Sequence, residues 1–109
     1  MDLTKKHCVA CEGGVSPMDE QKAHEYLSEV LGWNISDDKK SIRREFEFND
    51  FVGAMAFVNK VADIAESEGH HPDLHIFYNK VKIELSTHAI GGLSENDFIV
   101  AAKINALSR

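Results

Sequence analysis

Apolar residues recur along this chain at two different periods, and each period predicts a different element. In residues 23–31, 51–65 and 98–107 they return every three or four positions, which is the spacing of an amphipathic helix. In residues 42–48 and 81–87 they alternate with polar residues, which is the spacing of a strand with one buried face. The pattern therefore predicts three helices and two longer strands.

Two shorter apolar runs complete the order of elements. Residues 33–35 precede the first alternating run, and residues 74–78 precede the second. Each short run is the natural hairpin partner of the strand that follows it, which gives the order α-β-β-α-β-β-α. Strands paired in hairpins, with the helices collected on one face, form an α+β sandwich rather than a parallel doubly wound sheet.

Residues that favour helix ends bound the three helices. Ser16-Pro17 predicts the start of the first, with serine as N-cap and proline at the first helical position. The second helix is capped by Asn49 or Asp50 and ends at Gly69. The segment Ser94-Glu95-Asn96-Asp97 is a capping-box pattern for the third, so a structural role is the simpler interpretation of its aspartate.

The second helix has a wide apolar surface. Its apolar residues cover an arc of roughly 180°, which is more than one core-facing stripe requires. We therefore expect Phe57, Val61 and Ile64 to be buried between subunits of a homodimer or homotetramer.

Three histidines are predicted to meet at one end of the sheet. The last two strands are expected to turn at Asn79-Lys80, and that register places His71 opposite His88. His70 precedes His71 directly. The pair alone could simply end a helix, where the helix dipole favours an imidazolium. The third histidine makes a shared pocket the better interpretation.

A further histidine, His75, is predicted on the same face of the sheet as His88. The predicted register pairs it with Glu84 on the neighbouring strand. We therefore expect a surface pair rather than a catalytic role.

Size and charge limit the possible functions. The 109 residues predict a single domain at 16–109 after a polar, flexible leader at 1–15. The net charge of -6 and the lack of a basic stripe argue against direct contact with nucleic acid. No apolar run reaches the roughly 18 residues of a membrane span, and the start lacks a signal-peptide core. A cytoplasmic location, with no membrane contact, is the default prediction.

The leader contains a CxxC motif formed by Cys8 and Cys11. A structural zinc site needs four ligands, and no second motif of suitable spacing supplies them, although His7 is adjacent. A redox motif would normally open a helix beside a βαβ unit, which the pattern does not predict. We expect reduced thiols in a flexible segment, with metal bound across two chains as the alternative.

One spaced motif is far more specific than any single histidine. Its members, in order, are Glu66, His70-His71-Pro72, Tyr78, His88 and Asp97. This spacing, with the flanking sequence over about 16–107, resembles the pterin-4a-carbinolamine dehydratases. The resemblance implies a four-stranded antiparallel sheet with three helices. The chain departs from the animal proteins at Leu74-His75, where they have an aromatic pair, and at Asn96, where they have arginine.

The resemblance also implies a reaction. A 4a-hydroxytetrahydropterin would lose water to give a quinonoid dihydropterin, which requires one proton donated to the hydroxyl and another removed from the ring nitrogen. Histidine can perform both transfers at neutral pH, and neither step needs a metal or cofactor. His70 and His88 are the implied acid-base residues, and His71 would position the substrate. The implied substrate-binding residues are Glu66, Pro72, Asp73, Ser86, Thr87 and Asp97.

Two other classes of function stay open. The three histidines, with Glu66 or Asp73, are donor types that suit a divalent metal. Alternatively, the chain is a partner-binding module with weak dehydratase activity, as the family's animal members also assist a homeodomain transcription factor. As an enzyme, it would support recycling of tetrahydrobiopterin, and an aromatic amino acid hydroxylase is the expected pathway neighbour.

Overall fold

The computed structural model describes residues 2–9 and 16–107. Its helices and strands are α1 Glu20–Leu27, β1 Asn34–Ile35, β2 Ile42–Glu47, α2 Phe51–Glu68, β3 Asp73–Phe77, β4 Lys80–Leu85 and α3 Glu95–Leu107. The strands form one antiparallel sheet in the order β1-β2-β4-β3. The predicted α+β fold and its order of helices and strands are confirmed. Within the described ranges, no helix is long and apolar enough to cross a membrane.

The two faces of the sheet differ in polarity, as the alternating pattern predicts. The buried residues of the two central strands are Ile42, Phe46, Val81, Ile83 and Leu85. On the opposite face, residues of opposite charge pair across the same strands: Arg43 with Glu84, Glu45 with Lys82 and Glu47 with Lys80. The helices therefore cover the apolar face, and the charged face meets water.

The face of α2 that we expected at a subunit interface belongs to the core of the monomer. Phe57 and Val61 are 5% and 0% exposed, and Ile64 is half-buried against the same cluster. The ring centroids of Phe57 and Phe46 are 4.8 Å apart. The predicted interface at these residues is wrong, because the wide arc of α2 packs on both β4 and α3.

Helix α3 is buried on almost every side, and part of the leader helps to cover it. Residues Leu3–Lys5 form a single 3-10 turn that packs on α3, and Leu3 is 3% exposed in the main core. We expected the leader to be polar and flexible. Over residues 2–9, the structure instead packs it against the domain.

Helix α1 begins later than the proline suggested. Asp19 is the N-cap, and its carboxylate accepts a hydrogen bond from the Lys22 amide at 2.8 Å. The preceding residues lie outside the helix, and the Met18 amide donates to the Leu93 carbonyl at 2.8 Å. This contact with a distant loop overrides the local preference for a helix starting at Pro17.

The turn between β3 and β4 lies one residue earlier than predicted. Phe77 pairs with Lys80, so Tyr78 and Asn79 are the central residues, and Tyr78 has a φ of 51°. Asn79 ties this turn to the end of β2. Its side chain donates to the Phe48 carbonyl at 3.0 Å, and its carbonyl accepts from the Phe48 amide at 2.8 Å.

In the observed register, residues of β3 have different cross-strand partners than predicted, but they stay on the predicted face of the sheet. His75 lies opposite Lys82, so the predicted pair with Glu84 is wrong. Pairing begins at Asp73, which means that His71 lies before β3 and does not face His88 across the ladder. Each residue keeps its face because its cross-strand partner moves by two positions.

A buried carboxylate holds the leader to the end of α2. The Glu68 side chain is 4% exposed and accepts from the Lys103 ammonium at 2.7 Å and the Cys8 amide at 2.8 Å, with the His7 ring at 3.2 Å. The Lys103 hydrogen bond is the largest cause that lowers the pKa of Glu68, to about 2. The charged form therefore stabilises the docked leader.

We expect Glu68→Gln to lower the free energy of unfolding at neutral pH by on the order of 1–3 kcal/mol. A carboxylate with a depressed pKa contributes stability above its unfolded pKa and loses it as the pH falls toward its folded pKa. The difference between wild type and variant should therefore shrink between about pH 4.5 and about pH 2. Urea denaturation across that range measures it. Glu47→Gln, at an exposed carboxylate, is the control, and a Glu68→Gln effect independent of pH would contradict the assignment.

Candidate active site

The three predicted histidines line one cavity at the end of the sheet. The cavity has a volume of about 320 Å³, and its described lining residues are Val9, Gly69, His70, His71, Ser86, Thr87, His88, Ala89 and Asn96. The predicted convergence of the rings is therefore confirmed. It does not arise from the expected register: the histidine pair lies just before β3, and His88 lies three residues past the end of β4.

His70 is the most firmly held of the three. Gly69 ends α2 in the left-handed conformation with φ 66°, and the His70 amide still bonds to the Ala65 carbonyl. The ring Nε2 lies 2.6 Å from Asp97 Oδ1, and the side chains are 13% and 0% exposed. A buried carboxylate therefore fixes the orientation of this imidazole.

The two carboxylate oxygens of Asp97 contact different parts of the protein. Oδ2 accepts from the Ser94 amide at 3.0 Å, which is the carboxylate half of the predicted capping box of α3, and from the Thr87 hydroxyl at 2.8 Å. Oδ1 meets His70. Because Asp97 is fully buried, it reaches the cavity only through these partners.

His71 has an acidic partner of a different kind. Its Nε2 lies 2.5 Å from Glu66 Oε2, one turn before the end of α2. The two side chains are 61% and 78% exposed, so this pair is open to water. Glu66, which the resemblance implied as a substrate-binding residue, thus pairs with a histidine in this structure.

His88 stands apart from both pairs. It is exposed and opens the short 3-10 turn His88–Ile90, after the buried Thr87. It also lines a second cavity of about 320 Å³ together with Ser86 and Asp73. The two cavities therefore meet at His88 and Ser86.

Of the remaining predicted substrate residues, Ser86, Thr87 and Asp73 line one or both cavities and Pro72 lines neither. Ser86 and Thr87 line the histidine cavity, and Asp73 lines the second one beside Lys40 and Glu84. Pro72 separates His71 from β3 and is absent from the described lining of both.

Four residues of the described cavity wall were not assigned to the site from sequence: Val9, Gly69, Ala89 and Asn96. Val9 belongs to the leader, whose composition gave no sign that it would reach the histidines. Asn96 was noted within the capping-box segment and as a departure from the animal sequences, and it bonds to Val9. The local signal was the presence of apolar residues, Leu3 and Val9, in a polar segment.

The described residues offer little to the alternative of a metal site. Among residues 2–9 and 16–107, no three histidine, cysteine or carboxylate side chains are grouped so that they could hold a metal ion. Burial, with the nearby Glu68 carboxylate, raises the pKa of the Cys8 thiol to about 12, which disfavours the thiolate that metal binding needs. Cys11 lies outside the described residues, so the CxxC motif is not tested as a pair.

Comparison with known proteins identifies the family. A family model described as pterin 4 alpha carbinolamine dehydratase matches residues 16–107. A protein from Halorhodospira halophila, provisionally named a pterin-4-alpha-carbinolamine dehydratase, is 49% identical over 98% of both chains. The chain belongs to the pterin-4a-carbinolamine dehydratase family.

Two further matches agree with this assignment. The mitochondrial pterin-4-alpha-carbinolamine dehydratase 2 of Arabidopsis thaliana is 51% identical over 97% of this chain and 59% of its own length. The crystal structure of a transcriptional coactivator/pterin dehydratase from Brucella melitensis has a TM-score of 0.82 at 35% identity. That match covers 86% of this chain and 100% of the other. The resemblance inferred from the spaced motif is confirmed.

In this carbinolamine dehydratase, Asp97→Asn should reverse the tautomer of His70. The amide oxygen must still accept from Ser94, which leaves the NH₂ group facing His70 Nε2 and forces the ring proton to Nδ1. We expect turnover to fall at least tenfold, and by no more than the roughly 10²–10⁴-fold that general acid-base catalysis contributes. The ¹⁵N shifts of His70 measure the tautomer.

Asp50→Asn is the matched control, because asparagine caps a helix as well as aspartate does and Asp50 caps α2. Normal turnover of Asp97→Asn with the proton still on Nε2 would show that Asp97 serves only the start of α3.

Proposed function

We propose that this protein catalyses the dehydration of a 4a-hydroxytetrahydropterin, with His70 and His88 as the acid-base residues. In this reaction the C4a–O bond breaks, the hydroxyl takes a proton and leaves as water, and the adjacent ring nitrogen loses its proton as the C=N bond forms. Two proton transfers at neighbouring atoms need two groups that can each gain or lose a proton near neutral pH. Membership of the dehydratase family supports this reaction.

One observation supports this assignment of roles. A buried carboxylate holds the ring of His70 beside a cavity that two other imidazoles also line. The Asp97 carboxylate already accepts two hydrogen bonds, so His70 Nε2 is best assigned as the donor to it. The Nδ1 lone pair of His70 is then the one available to accept a proton. Its orientation is fixed before substrate binds, which is the arrangement that general base catalysis favours.

His88 has the complementary properties of an acid-base group open to solvent. It is exposed at the junction of the two cavities, where a proton can be exchanged with water after each turnover. His71, paired with Glu66, lies on the same cavity and is suited to position the substrate. The pH-rate profiles of His70→Ala and His88→Ala would show which of the two histidines gives the proton and which removes it.

We expect His70→Ala and His88→Ala each to lower the enzymatic dehydration rate by roughly two to four orders of magnitude while the fold persists. The measurement is the decay of carbinolamine, with the spontaneous rate subtracted. His75→Ala is the control, since His75 lies on the charged outer face opposite Lys82. Near-normal rates in both alanine variants would remove the acid-base proposal.

We propose that the protein is a homo-oligomer whose interface lies at the start of α2 rather than at Phe57, Val61 and Ile64. At the start of α2, Phe51 and Val52 are 47% and 75% exposed, and with Met55 and Ala56 they line an apolar depression. Burial between subunits would remove this apolar surface from water. We expect Val52→Glu to shift the assembly toward monomer in sedimentation at micromolar concentration. Val61→Glu would instead unfold the core, and a monomeric wild type would contradict the proposal.

The cellular setting is proposed on chemical grounds. A quinonoid dihydropterin is a product that a reductase must return to the tetrahydro form, and a tetrahydropterin-dependent hydroxylase of aromatic amino acids would supply the carbinolamine. Cytoplasmic location remains a prediction, since the Arabidopsis relative is named mitochondrial. Localisation of a tagged full-length chain tests it.

A further inference from the structure

We propose that Val9, from the N-terminal segment, is an apolar wall of the pterin site, and that Asn96 is the residue that positions it. This inference rests on the proposed function. It concerns a part of the chain that lies more than 50 residues before the catalytic motif and that no motif assigns to the site.

The main chain of Val9 is held by a two-point contact. The Val9 amide donates to Asn96 Oδ1 at 3.1 Å, and Asn96 Nδ2 donates to the Val9 carbonyl at 2.6 Å. A planar side-chain amide that both accepts and donates fixes the direction of the main chain as well as its position. Arginine could not make this contact, because it has no acceptor for the Val9 amide.

The neighbouring residue is held from the other side. The Cys8 amide donates to Glu68 Oε1 at 2.8 Å, and Glu68 is itself bonded to Lys103. Segment 8–9 is therefore fixed between the end of α2 and the start of α3. Asn96 is 5% exposed, so this clamp is a built part of the structure rather than a surface contact.

Val9 forms part of the cavity wall with most of its surface open to water. It is 72% exposed, although it lines the same cavity as the three histidines. Among the described lining residues it is the one branched aliphatic side chain, and the others are polar or small. A flat pterin ring that entered the cavity would cover Val9, which would remove apolar surface from water on binding.

The test compares Val9→Ser and Asn96→Ala with wild type in steady-state dehydration and in calorimetric binding of a 7,8-dihydropterin. We expect the KM and the Kd to rise about three- to tenfold in each variant, with kcat within about twofold. Val9→Ile, which keeps a branched aliphatic side chain, should have the wild-type KM, Kd and kcat. Leu31→Ser, at an aliphatic residue that is 78% exposed at the other end of the fold, should change neither constant.

The NMR signals of the Val9 methyl groups distinguish a direct contact with the ligand from an effect on protein stability. In wild type, the Val9 methyl resonances should shift when the dihydropterin is added, and in Asn96→Ala this shift should weaken. Unchanged KM and Kd in Val9→Ser, with normal turnover, would overturn this inference and leave the proposed function intact. A lower melting temperature in Asn96→Ala with unchanged Kd would also overturn it. A wild type without dehydratase turnover would overturn both proposals.

Discussion

The buried carboxylate of Asp97 joins three elements of the fold: the start of α3, the segment after β4 and the end of α2. It accepts hydrogen bonds from the start of α3 through Ser94 and from the segment after β4 through Thr87, and it contacts His70 at the end of α2. A carboxylate with no exposed surface is stable only when its oxygens are satisfied in this way. The position of the His70 ring is therefore a consequence of the same contacts that close the fold.

The three histidines differ in how they are supported, and the differences follow from where each lies. His70 follows a left-handed glycine that turns it toward the buried end of α3, while His71 points to an exposed carboxylate on α2. His88 lies in a 3-10 turn at the junction of two cavities. A fixed ring inside the protein and an exposed ring at the solvent boundary suit two proton transfers with different access to water.

The sequence predicted the elements whose signals are local and missed those set by distant contacts. Alternation along β2 and β4 and the caps at Asp50 and Gly69 depend on neighbouring residues alone. The turn at Tyr78 depends on the bonds from Asn79 to Phe48, about 30 residues away. The late start of α1 and the packing of residues 2–9 have the same kind of cause, and no periodicity in those segments encodes their partners.

The sequence predicted the three histidines that line the cavity, but it did not assign Val9 and Asn96 to the same wall. The spaced motif gave the histidines, whereas Val9 and Asn96 meet only because α3 and the leader pack together. Asp97 fits the local pattern of a helix cap, and that pattern does not indicate its second contact, with His70. A glutamate at this position could also accept from Ser94, but its extra methylene would displace the oxygen that meets His70. The shorter aspartate is therefore the residue that couples the helix cap to the imidazole.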